Sequence, residues 1–79
     1  AIYFLSDRSG LKTNAERFYE KTAKKFNLPN VKVEDFRDAF KLLKIIPNNR
    51  IIVVIDEFSY LLEDKNASAV FQHIIDEIL

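Results

Sequence analysis

The sequence contains no cysteine, no methionine and no tryptophan, and only one glycine, two prolines and one histidine in 79 residues. Without cysteine there are no disulfides, thiolate metal sites, thiol nucleophiles or redox motifs. With His73 as the single histidine, a multi-histidine zinc site is impossible, and a Ser-His-Asp triad would have to pass through that one ring. Gly10 alone cannot build a glycine-rich phosphate loop. No apolar run approaches the roughly 20 residues of a membrane span, and no secretory leader is visible, so the expected location is cytoplasmic with no membrane partner. An excess of charge of one sign is missing too, because twelve basic residues balance twelve acidic ones.

What is present is a globular composition, 48% apolar and 30% charged. A core of this size rarely supplies more than roughly 3 to 5 kcal/mol, and small scaffolds commonly lean on disulfides, metals or oligomerisation. The absence of methionine and the opening Ala1-Ile2-Tyr3-Phe4-Leu5 lead us to read the chain as a piece of something longer.

Ile2 to Leu5 is a short apolar run rich in β-branched and aromatic types, closed by the turn formers Ser6-Asp7-Arg8-Ser9-Gly10, and it predicts a strand covered on both faces. Thr13-Asn14-Ala15-Glu16 fits the capping box that opens a helix. Behind it, Ala15, Phe18, Tyr19, Thr22, Ala23 and Phe26 recur at helical spacing. Asn27-Leu28-Pro29-Asn30 ends that helix. Phe36, Ala39, Phe40, Leu43 and Ile46 predict a second helix, with Glu34, Asp35 and Asp38 at its start, Lys41 and Lys44 toward its end, and Pro47-Asn48-Asn49 as its stop. Ile51 to Ile55 is five β-branched residues in succession, which predicts a parallel strand buried on both sides. Asn66 can cap a last helix with Ala67, Val70, Phe71, Ile74, Ile75, Ile78 and Leu79 on its apolar face. Two apolar strands joined by helices imply an α/β unit of order βααβα with the strands parallel.

In open parallel sheets, ligands gather beyond the carboxyl ends of the strands, and Asp56-Glu57 stands at such an end. Neighbours on a strand point to opposite sides, so the two acids cannot share one role. In a nucleotide hydrolase this pattern has a chemical reading, in which the first carboxylate holds Mg²⁺ and the second orients and deprotonates the attacking water. The plainer reading is a polar strand end leading into a turn.

The longer string Ile51-Ile52-Val53-Val54-Ile55-Asp56-Glu57-Phe58-Ser59-Tyr60-Leu61 resembles the Walker B segment of the archaeal ATPase family, among the AAA-type P-loop NTPases, where an apolar strand runs into D-E-F-x-Y-L. Ala1 to Arg8 resembles that family's strand after the P-loop helix, and Val70 to Leu79 its helix after Walker B. The resemblance implies residues 1–79 of a three-layer ATPase sandwich, with two strands and helices on both faces. By it Asp56 matches the magnesium-associated aspartate and Glu57 the catalytic glutamate. The departures are as informative. No G-x-x-x-x-G-K-[ST] occurs, and the polar residue that senses water and the later arginines have no counterpart. The resemblance therefore implies Mg²⁺ and ATP in an intact parent protein, neither being expected in the isolated chain.

Asp7 and Arg8 leave the first strand at the same sheet end as Asp56, where an ordinary solvated loop is the plainer reading. Lys12, Arg17, Lys21, Lys24, Lys25, Lys32, Lys41 and Lys44 invite a nucleic-acid reading, yet acids are interspersed and solvated helix surface suits them better. His73 lies off the apolar stripe and has no second ligand, and the seven phenylalanines are expected in the core. In the resembled family the Walker B strand has a neighbour on each side, one of them supplied from beyond residue 79. An unpaired apolar edge is therefore expected here, and with it a homo-oligomer pairing through Ile51 to Ile55 or exchanging the last helix. A non-enzymatic module that self-associates through that edge is the alternative function, and a nucleic-acid-binding piece is a third.

Overall fold

The computed structural model describes residues 1–46 and 51–78. The expected stop at Pro47-Asn48-Asn49 and the last apolar position, Leu79, lie outside the described residues. The elements are β1 (Ile2–Leu5), α1 (Leu11–Phe26), α2 (Phe36–Leu43), β2 (Val53–Asp56), a short α3 (Ser59–Leu62) and α4 (Ala67–His73), which widens into a π-helical turn over Ile74–Ile78. The two strands are parallel, with Ile2 opposite Val53 and Leu5 opposite Asp56. The α/β class and the parallel pair are thus as expected.

The start of α1 differs from the capping-box reading. The helix begins at Leu11, two residues before Thr13, behind Gly10 with a φ of 104°, and no side chain caps it. Asn14 is the cause. Its fully buried amide donates to the carbonyls of Asp7 and Gly10 at 2.9 and 2.6 Å and accepts the Asp7 N–H at 3.0 Å. These bonds hold the preceding loop against the first turn, so the turn forms before Thr13 is reached. At the other end Asn27 takes the left-handed conformation, which asparagine tolerates, and the Leu28 N–H closes onto the Ala23 carbonyl at 2.9 Å.

α2 starts as its acids suggest. Asp35 accepts the Arg37 N–H at 2.7 Å, and the Arg37 guanidinium grips its other oxygen at 2.7 and 3.0 Å. At α4 the cap is again not the expected one. Asn66 offers no side-chain bond, and its own N–H is held by the Asp64 carboxylate at 2.8 Å.

The larger correction concerns the faces of the sheet. Ile2 and Phe4 are buried and their partners Val53 and Ile55 half-buried, all against the helices. The alternate residues Tyr3, Leu5, Ile52 and Val54 stand 64, 59, 63 and 39% exposed. The helices form one layer on one face rather than two layers on both, because α4 packs on α2 and Phe71 meets Phe36 at 5.1 Å between ring centroids. The handedness rule constrains a helix that leads into a second parallel strand. No strand follows α4 among the described residues, so the rule assigns it no side, and it takes the face that already carries the aromatic core. Ile51 and Ile52 also fall outside β2, although the Ile52 carbonyl accepts the Ile2 N–H at 2.7 Å.

Six of the seven phenylalanines form one connected cluster. Phe18 meets Phe4, Phe36 and Phe40 at 5.6, 5.5 and 5.4 Å, Phe36 meets Phe71, and Phe71 meets Phe58 edge-on at 4.9 Å. Such pairs contribute roughly 0.5–1.5 kcal/mol each beyond area burial. No helix among the described residues is long and apolar enough to cross a membrane.

Two outcomes follow for stability. Phe36→Ala should cost about 3–5 kcal/mol, a large part of the ~4–12 kcal/mol that a chain of this length holds at roughly 0.05–0.15 kcal/mol per residue, so urea melts should place its midpoint far below that of wild type. Burial pushes the Asp35 carboxyl up, but the bonds from the Arg37 side chain and amide outweigh this and hold it below its ordinary value. A depressed carboxyl stabilises the fold above the ordinary aspartate pKa, near 4, and loses that contribution as pH falls through the lower folded value. Urea melts between about pH 5 and pH 2 should therefore show wild type losing more stability than Asp35→Asn, which keeps an N-cap acceptor without the charge.

Candidate functional site

Residues at the carboxyl ends of both strands come together where Leu5 pairs with Asp56. Asp56 is the last residue of β2 and is exposed, and its Oδ1 accepts the Glu57 N–H at 3.0 Å. Glu57 follows in the turn and is also exposed, with a φ of 57°. The expected strand alternation therefore does not set its direction. The turn does.

A positive φ is uncommon outside glycine and asparagine and carries a steric cost of about 1–2 kcal/mol. Among the described residues the others with positive φ are Gly10 and Asn27, for which the conformation is ordinary. Glu57 is thus a residue whose backbone would be easier as glycine. What holds it there is Ser6, whose hydroxyl lies 2.7 Å from the Asp56 carbonyl and 2.6 Å from the Glu57 carbonyl, so that its one proton is shared between them. The Ser6 N–H adds a bond to the Asp56 carbonyl at 3.1 Å. Ser6 is buried, and its contribution was not visible in the sequence, where it reads as one of several turn formers. A serine immediately after the first apolar run is the signal in the sequence that pointed to it.

Asp7 and Arg8 are brought to the same end but are tied elsewhere. The Ser9 hydroxyl and amide both donate to Asp7, and Arg17 pairs with it at 2.7 Å. The Ser9 bonds, with help from Arg17, hold the Asp7 carboxyl below its ordinary value. The Arg8 guanidinium lies 5.0 Å from the Tyr60 ring centroid, and its Nε is 3.5 Å from Glu63. This contact fastens the β1 exit to α3. The basic residues of α1 are likewise engaged. Lys12 pairs with Glu34 and Lys24 with Glu20, both at 3.6 Å, while Lys21 and Lys25 donate to the carbonyls of Tyr3 and Ala1.

Magnesium takes oxygen ligands and is commonly held by one or two carboxylates, the remainder being water and phosphate. Asp56 could supply one such oxygen, the one not engaged by the Glu57 amide. No group of three or more His, Cys, Asp or Glu residues suited to a metal occurs among the described residues. One carboxylate oxygen does not make a metal site, and a cation at Asp56 would need other groups to complete its shell.

Two substitutions separate backbone strain from side-chain function. Glu57→Gly should leave stability unchanged or raise it by about 1 kcal/mol, since it relieves the positive φ. Ser6→Ala should lower stability by about 0.5–1.5 kcal/mol, the net worth of the lost hydroxyl bond, because the Asp56 and Glu57 carbonyls keep the N–H groups of Ser6 and Tyr60. Urea denaturation of the two variants beside wild type reads both.

No family model, no curated protein and no solved structure matches the chain.

Proposed function

We propose that the chain is the Walker B-bearing part of an ATP-hydrolysing P-loop domain, with Asp56 associated with magnesium and Glu57 acting as the base. The observation that carries this reading is Glu57 itself, an exposed carboxylate kept at a positive φ immediately after the acid that ends a parallel strand. Strained backbone of this kind clusters at functional sites. The family resemblance of residues 51–61 lends it the specific chemistry, and the position beyond the carboxyl ends of parallel strands is where such sheets gather ligands.

In that reading Ser6 fixes the two carbonyls and thereby the relative placement of the acids. Asp56 offers one carboxylate oxygen to the cation, which when bound would neutralise charge on the phosphates. Glu57 orients a water and takes its proton as the water attacks. The chain's own residues supply no phosphate cradle, and two carboxylates alone repel a polyanionic nucleotide. Catalysis thus requires a phosphate-gripping loop from another part of the protein. The lysines of α1 give no specific support to the nucleic-acid reading, since acids and backbone carbonyls engage them.

Two measurements test the proposal. Calorimetric titration of the 79-residue chain with Mg-ATP should show no binding at micromolar concentrations; micromolar affinity would contradict the stated need for a cradle. In a protein containing this segment together with such a loop, Glu57→Gln should keep ATP bound and slow turnover by about 10²–10⁴-fold, the usual contribution of a general base. Unchanged turnover would remove the catalytic role.

A further inference from the structure

The two-stranded sheet leaves one outer edge on each strand, and the two edges are treated differently. Over the outer edge of β1, the ammonium groups of Lys21 and Lys25 donate to the carbonyls of Tyr3 and Ala1. Lysine on a strand edge is a device that blocks further pairing. The outer edge of β2 has no such guard among the described residues. Because the Ile2 and Ser6 N–H groups bond to the Ile52 and Asp56 carbonyls, Val53 and Ile55 turn their own N–H and C=O groups outward. Beside them runs a groove of about 260 Å³ between Val53 and Ile55 of β2, with Ile51 just before it, and Phe71, Ile74 and Ile75 on the helix. Its walls are apolar, and Ile75 is 60% exposed.

We propose that in the 79-residue chain, where no further strand covers it among the described residues, this edge is a self-association surface on which a second copy adds its own β2, antiparallel, about a two-fold axis. Charge sets the direction, and the self-complementary apolar register of residues 51–55 suits a second copy. Asp56 and Glu57 stand together at one end of β2. A parallel copy would set the two acidic pairs side by side, whereas an antiparallel one carries them to opposite ends of the new pair. Zero net charge leaves no overall repulsion between copies. With Val53 on the axis, Ile51 lies opposite Ile55 and Ile52 opposite Val54, so apolar residues meet along the pairing. The lysine guard on β1 closes the other edge, so copies form a closed pair rather than an open chain. An edge five residues long, 51 to 55, covers well under the ~800 Å² per partner of a standard interface, which makes the dimer weak, with a Kd of roughly 10 µM to 1 mM.

Sedimentation equilibrium of the 79-residue chain from about 10 µM to 1 mM tests this. The average mass should rise from that of one chain, 9.3 kDa, toward twice that value. Ile52→Lys combined with Val54→Lys sets charge against charge across the axis at two exposed positions, and should hold the chain monomeric throughout. Tyr3→Lys combined with Leu5→Lys carries the same charges on the same sheet face but on the guarded strand, and should leave dimerisation unchanged. In wild type, NMR-detected amide exchange at Val53 and Ile55 should slow as concentration rises, a readout independent of how the variants fold. A wild-type monomer at every concentration overturns the proposal, leaving the edge for a strand of another protein. So does loss of the dimer in the β1 variant, which would mean that copies meet through the sheet face. Concentration-independent exchange at Val53 and Ile55 overturns it as well.

Discussion

The ring of Phe36 meets Phe4 of the sheet, Phe18 of α1 and Phe71 of α4 at 6.4, 5.5 and 5.1 Å, and so joins the sheet and the three longer helices through one side chain. Its position follows from Asp35, which caps the helix that begins at Phe36. A short α/β chain without disulfides has few ways to bury enough surface. Concentrating its aromatic rings on one face of a two-stranded sheet produces one well-filled core at the cost of a bare opposite face. The exposed Tyr3, Leu5, Ile52 and Val54 are the direct consequence.

Much of this was legible in the sequence because local periodicity and local chemistry agreed. The buried positions Ala15, Phe18, Tyr19, Thr22 and Ala23 of α1, and Phe36, Ala39, Phe40 and Leu43 of α2, are those that helical spacing selects. β1 matches its apolar run, and β2 ends at Asp56 as the change from isoleucine to acid suggests. The misreadings arose where a distant contact decided a local question. A buried Asn14 starts α1 ahead of a well-formed capping-box string. A run of β-branched residues read as buried on both faces is half-buried on one and exposed on the other, because composition reports what a face could bury and not which elements arrive to cover it.

The candidate site shows the same division. Asp56 and Glu57 were visible as an acidic pair after an apolar strand, and both lie exposed at the carboxyl ends of the strands. Ser6 was not visible as their support, because its contact spans fifty residues of sequence. Nor was the positive φ of Glu57, since no residue type at that position announces it. The same turn that presents the acids also lets the chain return over the helix-bearing face, where Leu61 is buried and Phe58 meets Phe71. Presentation of the acids and one-sided packing are thus two results of a single change of chain direction.

The most direct test of the one-sided core is the pattern of nuclear Overhauser contacts made by the Phe71 ring in solution. The account predicts cross-peaks from that ring to Phe36 and Phe58, and none to Tyr3 or Val54. Cross-peaks from Phe71 to Tyr3 and Val54, with those to Phe36 missing, would place α4 on the other face of the sheet and contradict it.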